Sequence, residues 1–75
     1  MFENLMFSTY AKHRYTLASE GLNGKSYDFP SRQLAEREMH RIMSKHGLHI
    51  TEVWDDGHFK TYLCNNDVRF HINRL

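Results

Sequence analysis

Seventy-five residues hold one small domain and leave no room for a second, and a core of this size is near the minimum that stands without disulfides or metals. Ten basic against nine acidic side chains give a formal net charge of +1, which argues against a general polyanion binder, although six histidines would carry it toward about +7 in mild acid. A single cysteine rules out an internal disulfide, no basic-then-apolar leader opens the chain, and no run approaches the roughly 18 apolar residues of a membrane span, so a cytoplasmic protein without a membrane partner is expected.

Phe2, Leu5, Met6 and Tyr10 recur at steps near three and four, which predicts a short amphipathic helix over residues 1–11. Leu5, Phe7 and Thr9 also alternate with Met6, Ser8 and Tyr10, so a strand is the alternative. Arg14 to Ser19 and Lys25 to Phe29 read as strands flanking a loop whose Gly21, Asn23 and Gly24 mark a hairpin. Tyr15, Leu17, Tyr27 and Phe29 share one face if the connecting loop has an odd number of residues, a register that the sequence leaves open. Pro30 closes this hairpin, Ser31 is placed to cap a helix running to about His46, and Gly47 ends it. Ala35, Met39, Ile42, Met43 and His46 form the apolar stripe of that helix.

Two turn signals, Asp56-Gly57 and Asn65-Asn66, divide the C-terminal third into three strands. As two-residue loops they set Asp55 opposite His58 and Cys64 opposite Asp67. One face then gathers Ile50, Glu52, Trp54, Phe59, Thr61, Leu63, Val68, Phe70 and Ile72 as core, with Glu52 either at an edge strand reaching water or buried against a histidine or arginine partner, and with Trp54→Ala the most damaging core substitution. The predicted fold is α+β, a two-layer domain in the order (α)ββαβββ, with one long helix on an antiparallel sheet that ends in a three-stranded meander.

The opposite face of that sheet gathers Lys60, Tyr62, Arg69, His71, His58 and Asn73. An aromatic ring among cations on a sheet suits either stacking of a base with neutralisation of its phosphates or contact with a protein. Solvated sheets also favour Lys, Arg, Thr and Tyr for strand propensity alone. Arg37, Arg41 and Lys45 form a second row at four-residue steps on the helix, which reads either as an anion-binding row or as an ordinary solvated face. His58 and His71 are candidates for a general base and acid about an RNA phosphate, with Lys60 or Arg69 stabilising the developing charge. His46, His49 and Cys64 lack the paired spacing of a metal site, and no phosphate-binding glycine loop or activated hydroxyl stands out, so no metal or cofactor is expected.

Gly57-His58-Phe59, with a helix before a three-stranded sheet, resembles the mRNA interferases of HicA type, which implies RNA cleavage by His58 and His71. The chain departs from that family in having no glycine-serine-histidine run, no proline before His71 and no helix after the last strand. Val53-Trp54-Asp55-Asp56, Thr61-Tyr62-Leu63-Cys64-Asn65-Asn66, Val68-Arg69-Phe70-His71-Ile72-Asn73-Arg74 and Tyr27-Asp28-Phe29-Pro30-Ser31 resemble, over residues 14–74, the small orphan proteins carried by bacteriophages and prophages. That resemblance implies a non-enzymatic accessory protein or inhibitor that binds a host protein or complex in the host cytoplasm. Nucleic-acid binding is the alternative. A homodimer is a further expectation, because a small domain with an open sheet readily pairs with a second copy.

Overall fold

The computed structural model describes residues 14–75; the expectation for residues 1–11 lies outside them. Strand β1 (Tyr15–Glu20) and strand β2 (Ser26–Phe29) are followed by helix α1 (Arg32–His46) and by strands β3 (Ile50–Asp55), β4 (Phe59–Cys64) and β5 (Arg69–Arg74). The strands form one antiparallel sheet in the order β2-β1-β5-β4-β3, with α1 packed on one face. This is the α+β architecture that the sequence predicts, with the first and last strands paired at its centre. Among the described residues, no helix is long and apolar enough to cross a membrane.

The first hairpin has the expected face: Tyr15 pairs with Phe29 and Leu17 with Tyr27. Its loop requires Gly21, whose φ is +87°, because a Cβ there would stand 2.7 Å from the carbonyl oxygen of Asp67. The β1–β2 loop is thereby pressed against the turn between β4 and β5. Helix α1 begins where Ser31, in an extended conformation, accepts a hydrogen bond from the Leu34 amide at 3.3 Å. It ends at left-handed Gly47, and the Leu48 amide closes back on the Met43 carbonyl at 2.9 Å.

Ala35, Met39 and Met43, at four-residue steps, bury the helix against Leu17, Phe70 and Ile72. Burial of each large side chain contributes on the order of 2 kcal/mol. His46, expected on this stripe, is exposed. The helix covers β2, β1 and β5 but stops short of β3.

The meander differs from its sequence-based register. Asn66 and Asp67, with φ of 62° and 59°, occupy the two left-handed turn positions, and the Val68 amide donates to the Asn65 carbonyl at 3.3 Å. The Val68 carbonyl also accepts from the Cys64 amide at 2.8 Å, so Cys64 and Asn65 together oppose one residue. This bulge adds one residue to the connection, and a one-residue slip turns β4 over relative to β5. Tyr62 now pairs with Phe70 and Lys60 with Ile72 beneath the helix, while Thr61 pairs with His71 on the outer face.

At the other turn, Asp55 pairs with Lys60 rather than His58, a shift of two that keeps β3 and β4 in step. Asp56 fixes it, its carboxylate accepting from the amides of His58 and Phe59 at 3.2 and 2.9 Å. An irregularity at Thr51 then returns Ile50 to the inner side opposite Cys64. Phe70, Ile72, Val68 and Ile50 therefore face the core as expected, whereas Phe59, Thr61, Leu63, Glu52 and Trp54 face outward. Trp54 is 59% exposed, so its removal is not the most damaging core change. The slip also resolves the position of Glu52, which lies in solvent and accepts a hydrogen bond from the Trp54 indole.

Candidate binding surfaces

The register divides the six residues expected on one sheet face. Lys60 and Tyr62 belong to the helix side. The Tyr62 ring is only 5% exposed, its hydroxyl donates to Glu36 of α1 at 2.8 Å, and the Lys60 ammonium lies 5.1 Å from the ring centroid and 3.7 Å from the same carboxylate. Burial, and then the bond to Glu36, push the Tyr62 phenol well above the ordinary tyrosine range. The expected pairing of an aromatic ring with a cation exists, but it is closed beneath the helix.

Arg69, His71 and Asn73 remain on the outer face, to which no helix is packed among the described residues. His58 lies in the β3–β4 turn, and its carbonyl accepts from the Arg74 amide at 2.8 Å. Arg74 pairs with Tyr15 on the helix side, so the register gives His58 and His71 to opposite faces. They do not flank a common substrate, as the expectation of a shared phosphate required.

His71 is instead built into the outer face. Its Nδ1 is 3.0 Å from the Thr61 hydroxyl, its Nε2 is 2.6 Å from the Glu20 carboxylate, and the Phe59 ring stacks on it at 5.6 Å. One tautomer satisfies both contacts: the hydroxyl donates to Nδ1 and Nε2–H donates to Glu20. Hydroxyl, imidazole and carboxylate in series have the connectivity of an activated nucleophile. Thr61 is only 5% exposed, however, so the chain of bonds holds the imidazole in place instead of presenting an oxygen to substrate. Beside it, Asn73 keeps a buried amide oxygen without a partner among the described residues.

Sequence reasoning missed the contribution of Trp54, Val53 and Phe59. Val53 is 44% exposed on the helix side beyond the reach of α1, Phe59 is 41% exposed on the outer side, and Trp54 stands next to Thr61 on the outer side. The β3–β4 hairpin therefore offers apolar side chains on both faces, along a strand with one neighbour among the described residues. Glu52, Asp55 and Asp56 surround them with carboxylates.

On the helix, Arg37, Arg41 and Lys45 are all exposed, as the sequence predicts. Arg41 is engaged by Glu38 through bonds of 2.9 and 2.6 Å, and these hold the Glu38 carboxyl below the usual range. Arg41 and Lys45 line a cleft of about 410 Å³ against the first hairpin, a wall that Arg37 does not share. Among the described residues, His46, His49 and Cys64 do not gather as a metal-binding cluster. Burial raises the pKa of the Cys64 thiol.

Comparison with protein-family models, with curated proteins and with solved structures finds no match to this chain.

Proposed function

We propose that this chain is a small non-enzymatic binding protein, of the accessory or inhibitor kind that phages direct at a host protein, and that it makes contact through the β3–β4 hairpin. The observation that carries the reading is Trp54, 59% exposed on an edge strand. A tryptophan offers more burial energy than any other side chain, and a domain this small leaves it in water. A partner that covers Trp54 together with Phe59 on the outer side recovers that energy on binding, and tryptophans are among the residues that dominate such contacts.

The rim chooses among partners. Glu52, Asp55 and Asp56 complement a basic surface, and an arginine from such a surface also suits the face of the Trp54 ring. The irregular edge at Thr51 and the same carboxylates oppose pairing of β3 with β3 of a second copy, which favours a heterologous partner over a homodimer.

Capture from a nuclease-treated bacterial lysate, with the parent protein beside the Trp54→Ala/Phe59→Ala variant, tests this. Both side chains are exposed, so the variant is expected to fold and to retain less than about a tenth of the captured partner. Undiminished capture by a folded variant refutes the hairpin as the contact surface.

A further inference from the structure

At the opposite end of the sheet, the C-terminal half of α1 and the β1–β2 hairpin enclose the cleft of about 410 Å³. Its floor is apolar, with Ile42 and Leu22 partly exposed to it over the fully buried Leu17 and Phe70. One wall is the ring of Tyr27, which is 39% exposed. The rim is cationic: Lys25 comes from the hairpin, and Arg41, Lys45 and His46 come from the helix. None of the described residues that line the cleft carries a carboxylate.

The rim cations are not all committed elsewhere. Arg41 is shared with Glu38, but Lys25 and Lys45 make no ion pair among the described residues. Cations at a helix C-terminus ordinarily answer the unpaired carbonyls there. In α1 the Gly47 and Leu48 amides already close on the Ser44 and Met43 carbonyls, which leaves Lys45 available. Backbone geometry keeps Lys25 at the mouth, because the Asn23 side chain accepts from the Lys25 amide at 2.9 Å and fixes the turn that carries it.

We propose that this cleft binds a small aromatic anion, a ring that lies on the apolar floor beside Tyr27 with a phosphate held by Lys25, Lys45 and Arg41, as in a nucleoside monophosphate. The volume falls in the lower part of the range of small-molecule sites, and the division into apolar floor and few charged groups is what such sites use to orient a ligand. Two members of the helix row, Arg41 and Lys45, lie on this rim. The site is separate from the hairpin of the proposed function and stands or falls without it.

Titration of the protein with adenosine 5′-monophosphate, followed through the amide resonances of Ser19, Asn23, Tyr27 and Lys45, tests the assignment. Saturable shifts are expected, with adenosine and inorganic phosphate each binding at least about tenfold more weakly. The Lys25→Gln/Lys45→Gln variant, altered only at exposed positions, is expected to lose at least about tenfold in affinity, whereas Trp54→Ala is expected to lose none. An oligoadenylate that binds about as tightly as the monophosphate assigns the site to a free nucleotide, and one that binds at least about tenfold tighter assigns it to a nucleotide within a strand. Absence of saturable binding, equal binding of adenosine or of inorganic phosphate, or indifference to the double variant overturns the proposal.

Discussion

Replacement of Tyr62 and of Trp54 by alanine, one at a time, separates the two possible orientations of β4 by a wide margin. Tyr62 is 5% exposed, lies beside Phe70 and donates to Glu36. Truncation of a buried aromatic costs about 3 to 5 kcal/mol, and Glu36 is left without its phenol partner. Trp54 is 59% exposed and touches its own strand through Glu52, so its truncation costs at most about 1 kcal/mol. In a domain of this length each kcal/mol moves the melting temperature by roughly 4 to 8 °C. Tyr62→Ala is therefore expected to melt at least about 12 °C below the parent or to fail to fold, with Trp54→Ala within about 8 °C of it. Thermal unfolding followed by far-ultraviolet circular dichroism reads both. A Trp54→Ala protein that melts well below Tyr62→Ala would show that β4 and β3 face the other way, and the bulge at Cys64 and Asn65 would be refuted with it.

Alkaline pH probes the same phenol. The folded state holds Tyr62 protonated while the unfolded chain ionises near the ordinary value of about 10, so this contribution is full below about pH 10 and declines as pH rises beyond it. Urea denaturation at about pH 9 and about pH 11 is expected to show a smaller loss for Tyr62→Phe than for the parent, and equal losses would count against a buried phenol. Gly21→Ala is expected to cost about 2 kcal/mol or more, since it combines a left-handed residue with a Cβ 2.7 Å from the Asp67 oxygen. A denaturation midpoint unchanged from the parent would contradict the contact between the two loops.

The sequence makes the helix and its two ends legible because each end depends on a residue with one strong physical role, Ser31 as acceptor and Gly47 as left-handed cap; it shows the first hairpin but leaves open the register that pairs Leu17 with Tyr27. The face of β5 is legible for a related reason. Val68, Phe70 and Ile72 alternate with Arg69, His71 and Asn73, and only one of those sets is apolar. Strand β4 offers no such contrast. Phe59, Thr61 and Leu63 carry about as much apolar surface as Lys60, Tyr62 and Cys64, so its orientation rests on the length of the turn that joins it to β5. Asn65, Asn66 and Asp67 all tolerate positive φ, which suits a two-residue loop begun at Asn65 as well as the bulged loop begun one residue later. One residue of ambiguity moved Tyr62 and Lys60 from the expected contact surface to the interior and placed Trp54 and Phe59 where they had been expected. Glu20 could not be tied to His71 until the pairing of β1 with β5 was known, because their hydrogen bond joins residues fifty-one positions apart, and Thr61 could not until the slip of β4 against β5 set it opposite His71.

The coverage of the sheet explains why two surfaces exist at all. Helix α1 lies over β2, β1 and β5, where Leu17, Met39, Phe70 and Ile72 are fully buried, so the stability of the molecule is concentrated there. At the margin of that cover, Glu36 reaches across to Tyr62 and Lys60 and closes the core with a hydrogen bond and an ion pair. Beyond this seam β3 has no helix above it among the described residues, and its Val53 and Trp54 are exposed on opposite sides. A hairpin left bare in this way adds little to a monomer's stability, but it is held rigidly enough, through its ladder to β4, to present a tryptophan in a fixed place. The cleft lies on the other side of the same helix, between its C-terminal half and the β1–β2 hairpin, whose loop Gly21 seats against Asp67. Among the described residues, helix placement over only three of five strands thus accounts for the exposed hairpin. The two surfaces share the fold without sharing a side chain.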